Sequence, residues 1–198
     1  MMNGVSRALL CTAILAPALS NAQQSAPRPQ SPEFSYSYVE VAYDESDFDL
    51  GPADIDGDGL ALAGSFEINE EWHAYASYGT YDLDFGLDLD TWMLGAGYVF
   101  PLQENIDLYG RVLYIDSDLE AGPGNAGEDG LGVQVRVRAR MSQVFELEGG
   151  IQYVDVFDSD MSLQGFARYH FTEDFSAALG LTLGGDADSV GISARYSF

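Results

Sequence analysis

The stretch Val190-Gly191-Ile192-Ser193-Ala194-Arg195-Tyr196-Ser197-Phe198 decides how the rest of the sequence is interpreted. Its apolar side chains (Val190, Ile192, Ala194, Tyr196 and Phe198) alternate with small or polar ones. Alternation with a period of two predicts a β-strand that has one apolar face. Chain ends usually extend into water, whereas this alternation continues through an aromatic residue. We therefore expect the segment to face an apolar environment.

The first residues predict export from the cytoplasm. Arg7 precedes an apolar run over residues 8–19, and small residues up to Ala22 follow it, which is typical of a signal peptide. The run is shorter than the roughly 20 residues of a transmembrane helix. We expect residues 1–22 to be the signal peptide, residues 23–33 to be a proline-containing periplasmic tether, and residues 34–198 to form one domain.

The composition is strongly acidic and rich in aromatic residues. The chain has 32 Asp and Glu against 8 basic residues, all of them Arg, so a basic surface for nucleic acid is disfavoured and no nucleic-acid partner is expected. Tyr (12), Phe (11) and Gly (22) are abundant, and this mixture favours strands and tight turns. The single Cys11 lies within the predicted signal peptide, so no disulfide is expected in the mature chain.

Alternating segments recur along the whole mature chain. Each is close to the 9–11 residues that a tilted strand needs to cross a bilayer. The connections alternate between short turns and longer segments rich in Asp and Gly, which predicts an all-β, antiparallel up-and-down transmembrane barrel in the bacterial outer membrane. We expect ten strands, with eight as the alternative, at approximately 34–43, 57–68, 72–82, 91–100, 106–115, 131–141, 145–154, 161–171, 175–184 and 189–198.

The two faces of these segments have different chemistry. One face carries aliphatic and aromatic residues, and aromatic residues gather beside the short turns, as in the girdle where acyl chains meet headgroups. The other face carries charged residues that are expected to form a lumenal network, with Arg140 opposite Glu146, Arg138 opposite Glu148, and Arg195 near Glu40. Such side chains would largely plug a ten-stranded barrel. The network comprises Glu40, Arg111, Arg136, Arg138, Arg140, Glu146, Glu148, Arg168 and Arg195.

Periodicity alone leaves an alternative fold open. A soluble β-sandwich or a lipocalin-like barrel with its apolar face inward has the same alternation, because only the direction of the two faces differs. Three features favour the membrane barrel: the aromatic girdle, the asymmetry of the connections, and the alternation that runs to Phe198.

Parts of the sequence resemble a known family. Residues 196–198 on an alternating strand look like the insertion signal that the barrel-assembly machinery reads, formed here by Val190, Ile192, Ala194, Tyr196 and Phe198. Residues 36–43 and 92–98 resemble the small barrels linked to diffusible-signal regulation in xanthomonads, within the OmpA/OmpX-like porin group. The resemblance implies an outer-membrane location, with lipid, lipopolysaccharide and the assembly machinery as partners. OmpA- and OmpX-like barrels have eight strands, whereas ten are expected here.

Candidate chemistry is sparse in this sequence. Asp54, Asp56 and Asp58 resemble the start of a calcium loop, but Ser65 occupies the twelfth position where a bidentate Glu is required. We expect a solvated turn there, with divalent cations as possible partners of the acidic loops. The two histidines, His73 and His170, both lie beside short turns, and His170 is predicted to pack in the lumen. No catalytic residue and no cofactor is expected.

The functional expectation is a non-enzymatic outer-membrane barrel of structural, surface-interaction or weak channel type with a largely plugged lumen. A narrow cation-preferring porin is the alternative, favoured by the acidic loops and opposed by the arginine-rich lumen. An outer-membrane hydrolase is the less favoured third interpretation, because general-base catalysis normally needs a histidine near a nucleophile.

Overall fold

A computed structural model describes residues 34–49, 54–121, 124–185 and 187–198. The predicted signal peptide and tether lie outside the described residues. Within them, no helix is long and apolar enough to cross a membrane. Almost all of the described chain is in strands, with one short 3-10 turn at Asp84–Gly86.

Ten antiparallel strands form a closed barrel, as the alternation predicted. Each strand pairs with its neighbours in sequence, and β1 pairs with β10, so the sheet has no free edge. The strands are β1 (Tyr38–Asp49), β2 (Asp54–Glu67), β3 (Trp72–Leu83), β4 (Leu87–Gln103), β5 (Ile106–Ala121), β6 (Gly124–Arg140), β7 (Phe145–Val156), β8 (Asp158–His170), β9 (Phe175–Leu183) and β10 (Ala187–Ser197).

The strand β10 closes the barrel as its sequence predicted. Val41 lies opposite Ala194 on one side, and Ile192 lies opposite Leu179 on the other. β10 therefore has a hydrogen-bonded neighbour on each side, as a barrel without free edges in an apolar solvent requires.

The outward face of the barrel is apolar across the membrane, and the inward face carries the charged residues together with some aromatic and aliphatic ones. Along β5, Val112 and Tyr114 are exposed, whereas Tyr109, Arg111 and Leu113 are buried. The same alternation holds around the barrel, so the inverted arrangement of a soluble barrel is excluded. Exposed apolar side chains include Val41, Leu62, Leu94, Val112, Val135, Ile151, Leu163, Leu181 and Ile192.

The strands extend further than predicted on the side of the longer connections. The segments predicted as loops over 83–90 and 116–130 are mostly paired strand; Asp116 pairs with Asp129, for example. The Asp and Gly residues of these segments predicted loops. Instead, they pair with the facing strand, and the paired strands form hairpins that extend beyond the apolar band of the barrel. Tight turns are then enough to connect the strands, and Phe85 and Phe157 have positive φ values of 64° and 58° in two of these turns.

The first strand also begins later than predicted. Residues 34–37 are not part of β1, and Phe34 and Tyr36 are instead buried. The alternation Phe34, Tyr36, Tyr38 continues unbroken into β1, which is why sequence alone assigned the segment to the strand.

Gly150 on β7 is one of the glycines at which β6 and β7 approach closely. A Cβ atom on Gly150 would clash with the carbonyl oxygen of Val135 and lie 2.6 Å from the Cα of Arg136. We expect Gly150→Ala to lower the free energy of unfolding by about 1–3 kcal/mol, the usual cost of overpacking. Urea unfolding of the refolded protein measures it.

The neighbouring glycine provides a matched control. A Cβ on Gly149 would lie 3.6 Å from the nearest heavy atom, the carbonyl oxygen of Gln164, which is ordinary contact. Gly149→Ala should therefore leave stability nearly unchanged. Equal unfolding midpoints for Gly149→Ala and Gly150→Ala would contradict the close approach.

Candidate functional site: a charged plug inside the barrel

The lumen on the short-turn side is filled by charged and aromatic side chains, which we call the plug. They come from the segment 34–37 and from most strands, because every second residue of each strand points inward. The plug consists of Phe34, Tyr36, Glu40, His73, Asp107, Tyr109, Arg111, Arg136, Arg138, Arg140, Glu146, Glu148, Arg168, His170 and Arg195.

Glu146 on β7 is the most connected carboxylate of the plug. It is 0 % exposed. Arg138 Nε donates to its Oε1 at 2.6 Å, and Arg140 Nη2 donates to its Oε2 at 3.1 Å. The Nε2 atom of His170 lies 3.2 Å from the same Oε2. One buried carboxylate therefore holds two guanidinium groups and an imidazole from β6 and β8.

The pairing of the next carboxylate differs from the sequence prediction. The Cα of Arg138 lies opposite Glu148, as the sequence predicted. Arg138 nevertheless bonds to Glu146, and Glu148 accepts from Arg136 Nη1 at 2.6 Å instead. Long side chains reach diagonal neighbours on the same face of a sheet, so the ion pairs are displaced along the strands although the register is unchanged.

Glu148 and Glu40 complete the ion pairs of the plug. Tyr109 Oη donates to Glu148 Oε1 at 2.6 Å. Glu40 Oε2 accepts from Arg168 Nη2 at 2.6 Å and from Arg195 Nε at 2.8 Å. Arg195 of the closing strand thus reaches Glu40, and β1, β8 and β10 are joined through a single oxygen.

The segment 34–37 caps the plug and was not identified as part of a site by sequence. The ring of Tyr36 stacks on His73 with centroids 5.1 Å apart, and Arg138 lies 4.7 Å above the ring of Phe34. Arg138 Nη1 also donates to the carbonyl oxygen of Ser35 at 3.1 Å. The signal that could have located this segment is its pair of aromatic residues beside a proline-rich stretch.

Arg111 is buried without a carboxylate partner among the described residues. Its Nε donates to His73 Nε2 at 2.9 Å, Nη1 to Gln134 Oε1 at 3.2 Å, and Nη2 to Tyr38 Oη at 3.1 Å. Its guanidinium also lies 4.3 Å from the ring centroid of Tyr75. Neutral acceptors and aromatic rings therefore hold this cation at the centre of the lumen.

The plug carries an excess of positive charge. It contains six arginines and four carboxylates, Glu40, Asp107, Glu146 and Glu148, and the ion pairs among the described residues join five of the arginines to three of the carboxylates. Asp107 is buried and accepts from Tyr36 Oη at 3.3 Å, and its Oδ1 atom has no partner within the described chain. Both histidines predicted beside short turns also lie here; His73 is fully buried.

The predicted weak metal ligands lie on a strand instead of in a loop. Asp54, Asp56 and Asp58 belong to β2. In an extended strand, positions two apart lie on the same face but are separated by roughly 6–7 Å along the strand, so this segment does not wrap around an ion as a calcium loop does. In the ranges that the structure describes, no group of three or more His, Cys, Asp or Glu side chains is arranged to hold a metal. Asp56 lies outside the apolar band. A hydrogen bond with Asp47 and the negative charge of Asp47 raise the pKa of Asp56.

The outer surface defines the class of protein. Aromatic side chains flank the apolar band at both ends: one ring near the short turns, and a second ring of Tyr43, Tyr78, Trp92, Tyr114 and Tyr153 at the other end. Beyond the second ring the outward-facing residues include carboxylates. On β5, for example, Asp116 is the next outward residue after Tyr114. A closed antiparallel barrel with this exterior is a transmembrane β-barrel of the outer-membrane class.

Comparison with known proteins gives the family. A family model described as the outer membrane protein beta-barrel domain matches residues 9–198, and the chain belongs to this family. The protein is located in the outer membrane. No protein of curated function matches the sequence.

Several solved structures are similar to this chain at low sequence identity. An outer membrane channel from Pseudomonas putida F1 is 12% identical, with 88% of this chain and 100% of that chain covered and a TM-score of 0.51. The Neisserial surface protein A is 15% identical over 83% and 98% of the two chains, with a TM-score of 0.48. The attachment invasion locus protein of Yersinia pestis is 16% identical over 83% and 100%, with a TM-score of 0.44.

Proposed function

We propose that the protein is a non-conducting outer-membrane barrel of structural or surface-interaction type. The observation that carries this proposal is the set of contacts that cross the lumen. Arg111 on β5 bonds to Tyr38 on β1, and Arg138 on β6 bonds to the backbone of Ser35. β5 and β1 are not neighbours in the barrel, and Ser35 precedes β1. Side chains that meet across the lumen support a closed passage.

A narrow cation-preferring porin is the second candidate, and the acidic outer rim favours it. Carboxylates at a channel mouth raise the local concentration of cations. The positive excess of the plug opposes it, because a cation would have to pass Arg111 and Arg138 in a constricted, weakly screened space. The plugged barrel is therefore preferred.

A hydrolase has little support from the histidines. His73 Nε2 accepts a hydrogen bond from Arg111, and His170 contacts Glu146 and Arg140, so both rings take part in the plug. The proposal therefore includes no catalytic role.

The assembly machinery, lipid and lipopolysaccharide remain the proposed partners, and the resemblance to the diffusible-signal-linked barrels of xanthomonads remains a proposal about ancestry.

Planar-bilayer recording tests the proposal. The wild-type protein is expected to show no steady openings, because the plug closes the lumen. Phe34→Ala combined with Tyr36→Ala removes the two rings that cap the plug, and we expect conductance to appear in this variant. Phe171→Ala with Phe175→Ala is the matched control, since both rings are exposed on the outside of the barrel. Steady, cation-selective openings of the wild-type protein would reject the plugged barrel and support the porin.

A further inference from the structure

The outer half of the lumen contains a cavity of about 460 Å³ that lies above the plug. We call it the vestibule. This volume falls within the range of roughly 300–1,000 Å³ that small-molecule sites occupy. Its lining reaches the loop-side ends of the strands, at Leu89, Ser117 and Val156, whereas Arg111, Arg136 and Arg195 form its lower end. The vestibule is therefore a blind pocket that faces the cell exterior.

The walls of the vestibule differ from its floor. Apolar side chains and hydroxyl groups form the walls, and they include Leu89, Met93, Leu113, Ile115 and Val154 together with Ser77, Thr91 and Ser162. Two carboxylates also line the vestibule: Glu40, which is paired with Arg168 and Arg195, and Asp160. The remaining wall, which is mostly apolar, favours the apolar body of a ligand and gives hydroxyl partners to a few polar atoms.

The floor of the vestibule presents cationic and amide donors. Arg111 has three neutral acceptors for its five N–H donors, and no carboxylate neutralises it within the described residues. Gln134 Nε2 donates to Gln152 Oε1 at 2.8 Å, and Gln164 also lines the floor. The Nε atom of Arg136 is buried without a partner in the described part of the chain. A carboxylate is the group whose geometry and charge match a guanidinium that has donors remaining.

We propose that the vestibule binds a small monocarboxylate with an apolar body, such as an aryl carboxylic acid, with its carboxylate directed toward Arg111. A single negative charge fits because the plug has a modest positive excess, whereas the carboxylates outside the barrel repel polyanions. The apolar body contacts the walls around Leu113 and Ile115. This inference rests on the closed lumen, since an open channel would let the ligand pass instead of holding it.

The experiment measures binding of 2-naphthoate to the refolded full-length protein in detergent micelles by isothermal titration calorimetry. The neutral amide, 2-naphthamide, is titrated in parallel. We expect saturable binding of 2-naphthoate and binding of the amide that is weaker by roughly tenfold or more, because the charge-assisted hydrogen bond is lost. Heat-modifiable migration on a gel verifies that each sample is folded.

Two matched variants locate the site. Ala61→Phe fills the vestibule, because Ala61 lines it, whereas Leu62→Phe places the same ring on the lipid side. We expect Ala61→Phe to abolish binding of 2-naphthoate and Leu62→Phe to preserve it. Arg111→Gln should weaken binding of 2-naphthoate by roughly tenfold and leave the amide unaffected.

Several outcomes would overturn the proposal. They are the absence of saturable binding to the wild-type protein, equal binding of the acid and the amide, or undiminished binding to folded Ala61→Phe. Conductance of the same preparations is recorded separately. A silent barrel that binds no naphthoate rejects the vestibule site alone, and a conducting wild-type barrel rejects the plug.

Discussion

Replacing Glu146 with Gln is expected to lower the free energy of unfolding by about 3 kcal/mol or more. Glu146 is fully buried and holds Arg138, Arg140 and His170. The amide keeps the size of the side chain but removes its charge, so two guanidinium groups lose their shared counterion. Breaking one partner of a buried ion pair costs about 3–5 kcal/mol, because the remaining charge stays buried without compensation. Urea unfolding of the protein in phospholipid vesicles measures the loss.

The matched control is Glu173→Gln, which makes the same chemical change in the exposed turn between β8 and β9. It should change stability by less than about 0.5 kcal/mol, as surface substitutions usually do. If Glu146→Gln unfolded at the same urea concentration as Glu173→Gln, the ion-pair network would not be a stabilising element. The plug would then owe its structure to the surrounding barrel.

Leu94→Arg is expected to destabilise the inserted barrel by about 2–4 kcal/mol, the cost of a guanidinium on the lipid face near the bilayer midplane. Leu94 lies on β4 between Trp92 and Tyr98, and its side chain is 53% exposed. No protein group shields a charge introduced at this position, so lipid hydrocarbon surrounds it. Unfolding in vesicles and the yield of folded protein after refolding both report the change.

The same substitution at Leu102 provides the control for depth. Leu102 is equally exposed at 55%, but it lies at the end of β4 beyond Phe100 and the aromatic ring of the short-turn side. Leu102→Arg should cost no more than about 1 kcal/mol, since the charge reaches the headgroups. Similar losses for Leu94→Arg and Leu102→Arg would contradict the placement of the apolar band.

Period-two alternation, together with the aromatic girdle and the asymmetry of the connections, predicted the barrel and its ten strands. Apolar and polar or small side chains alternate along β10 from Val190 onward, and alternation assigns each residue to one face whatever the details of packing. The short turn at residues 142–144 also set the register of β6 and β7, which places Arg140 opposite Glu146. These properties depend only on neighbours in sequence.

The ends of the strands could not be predicted in the same way. Asp88 and Asp90 suggested a loop by composition, yet they pair with Glu120 and Asp118 in extended hairpins. An acidic composition indicates that a segment is exposed to water. It does not distinguish a loop from a strand that projects beyond the membrane, because both are exposed to water. The boundary between loop and strand therefore depends on whether a partner strand is present.

By itself, the sequence determined that the chain forms a barrel with an apolar exterior and arginines inside, because alternation separates the two faces of each strand, and the aromatic girdle and the asymmetry of the connections indicate which face meets lipid. Only the tertiary structure decided that Phe34 and Tyr36 fold into the lumen, that Arg138 bonds to Glu146 while Glu148 bonds to Arg136, and that Arg111 has no counterion among the described residues. These contacts join strands that are distant in sequence. They depend on which long side chains can contact one another across the curved lumen, and no pattern of neighbouring residues in the sequence predicts this.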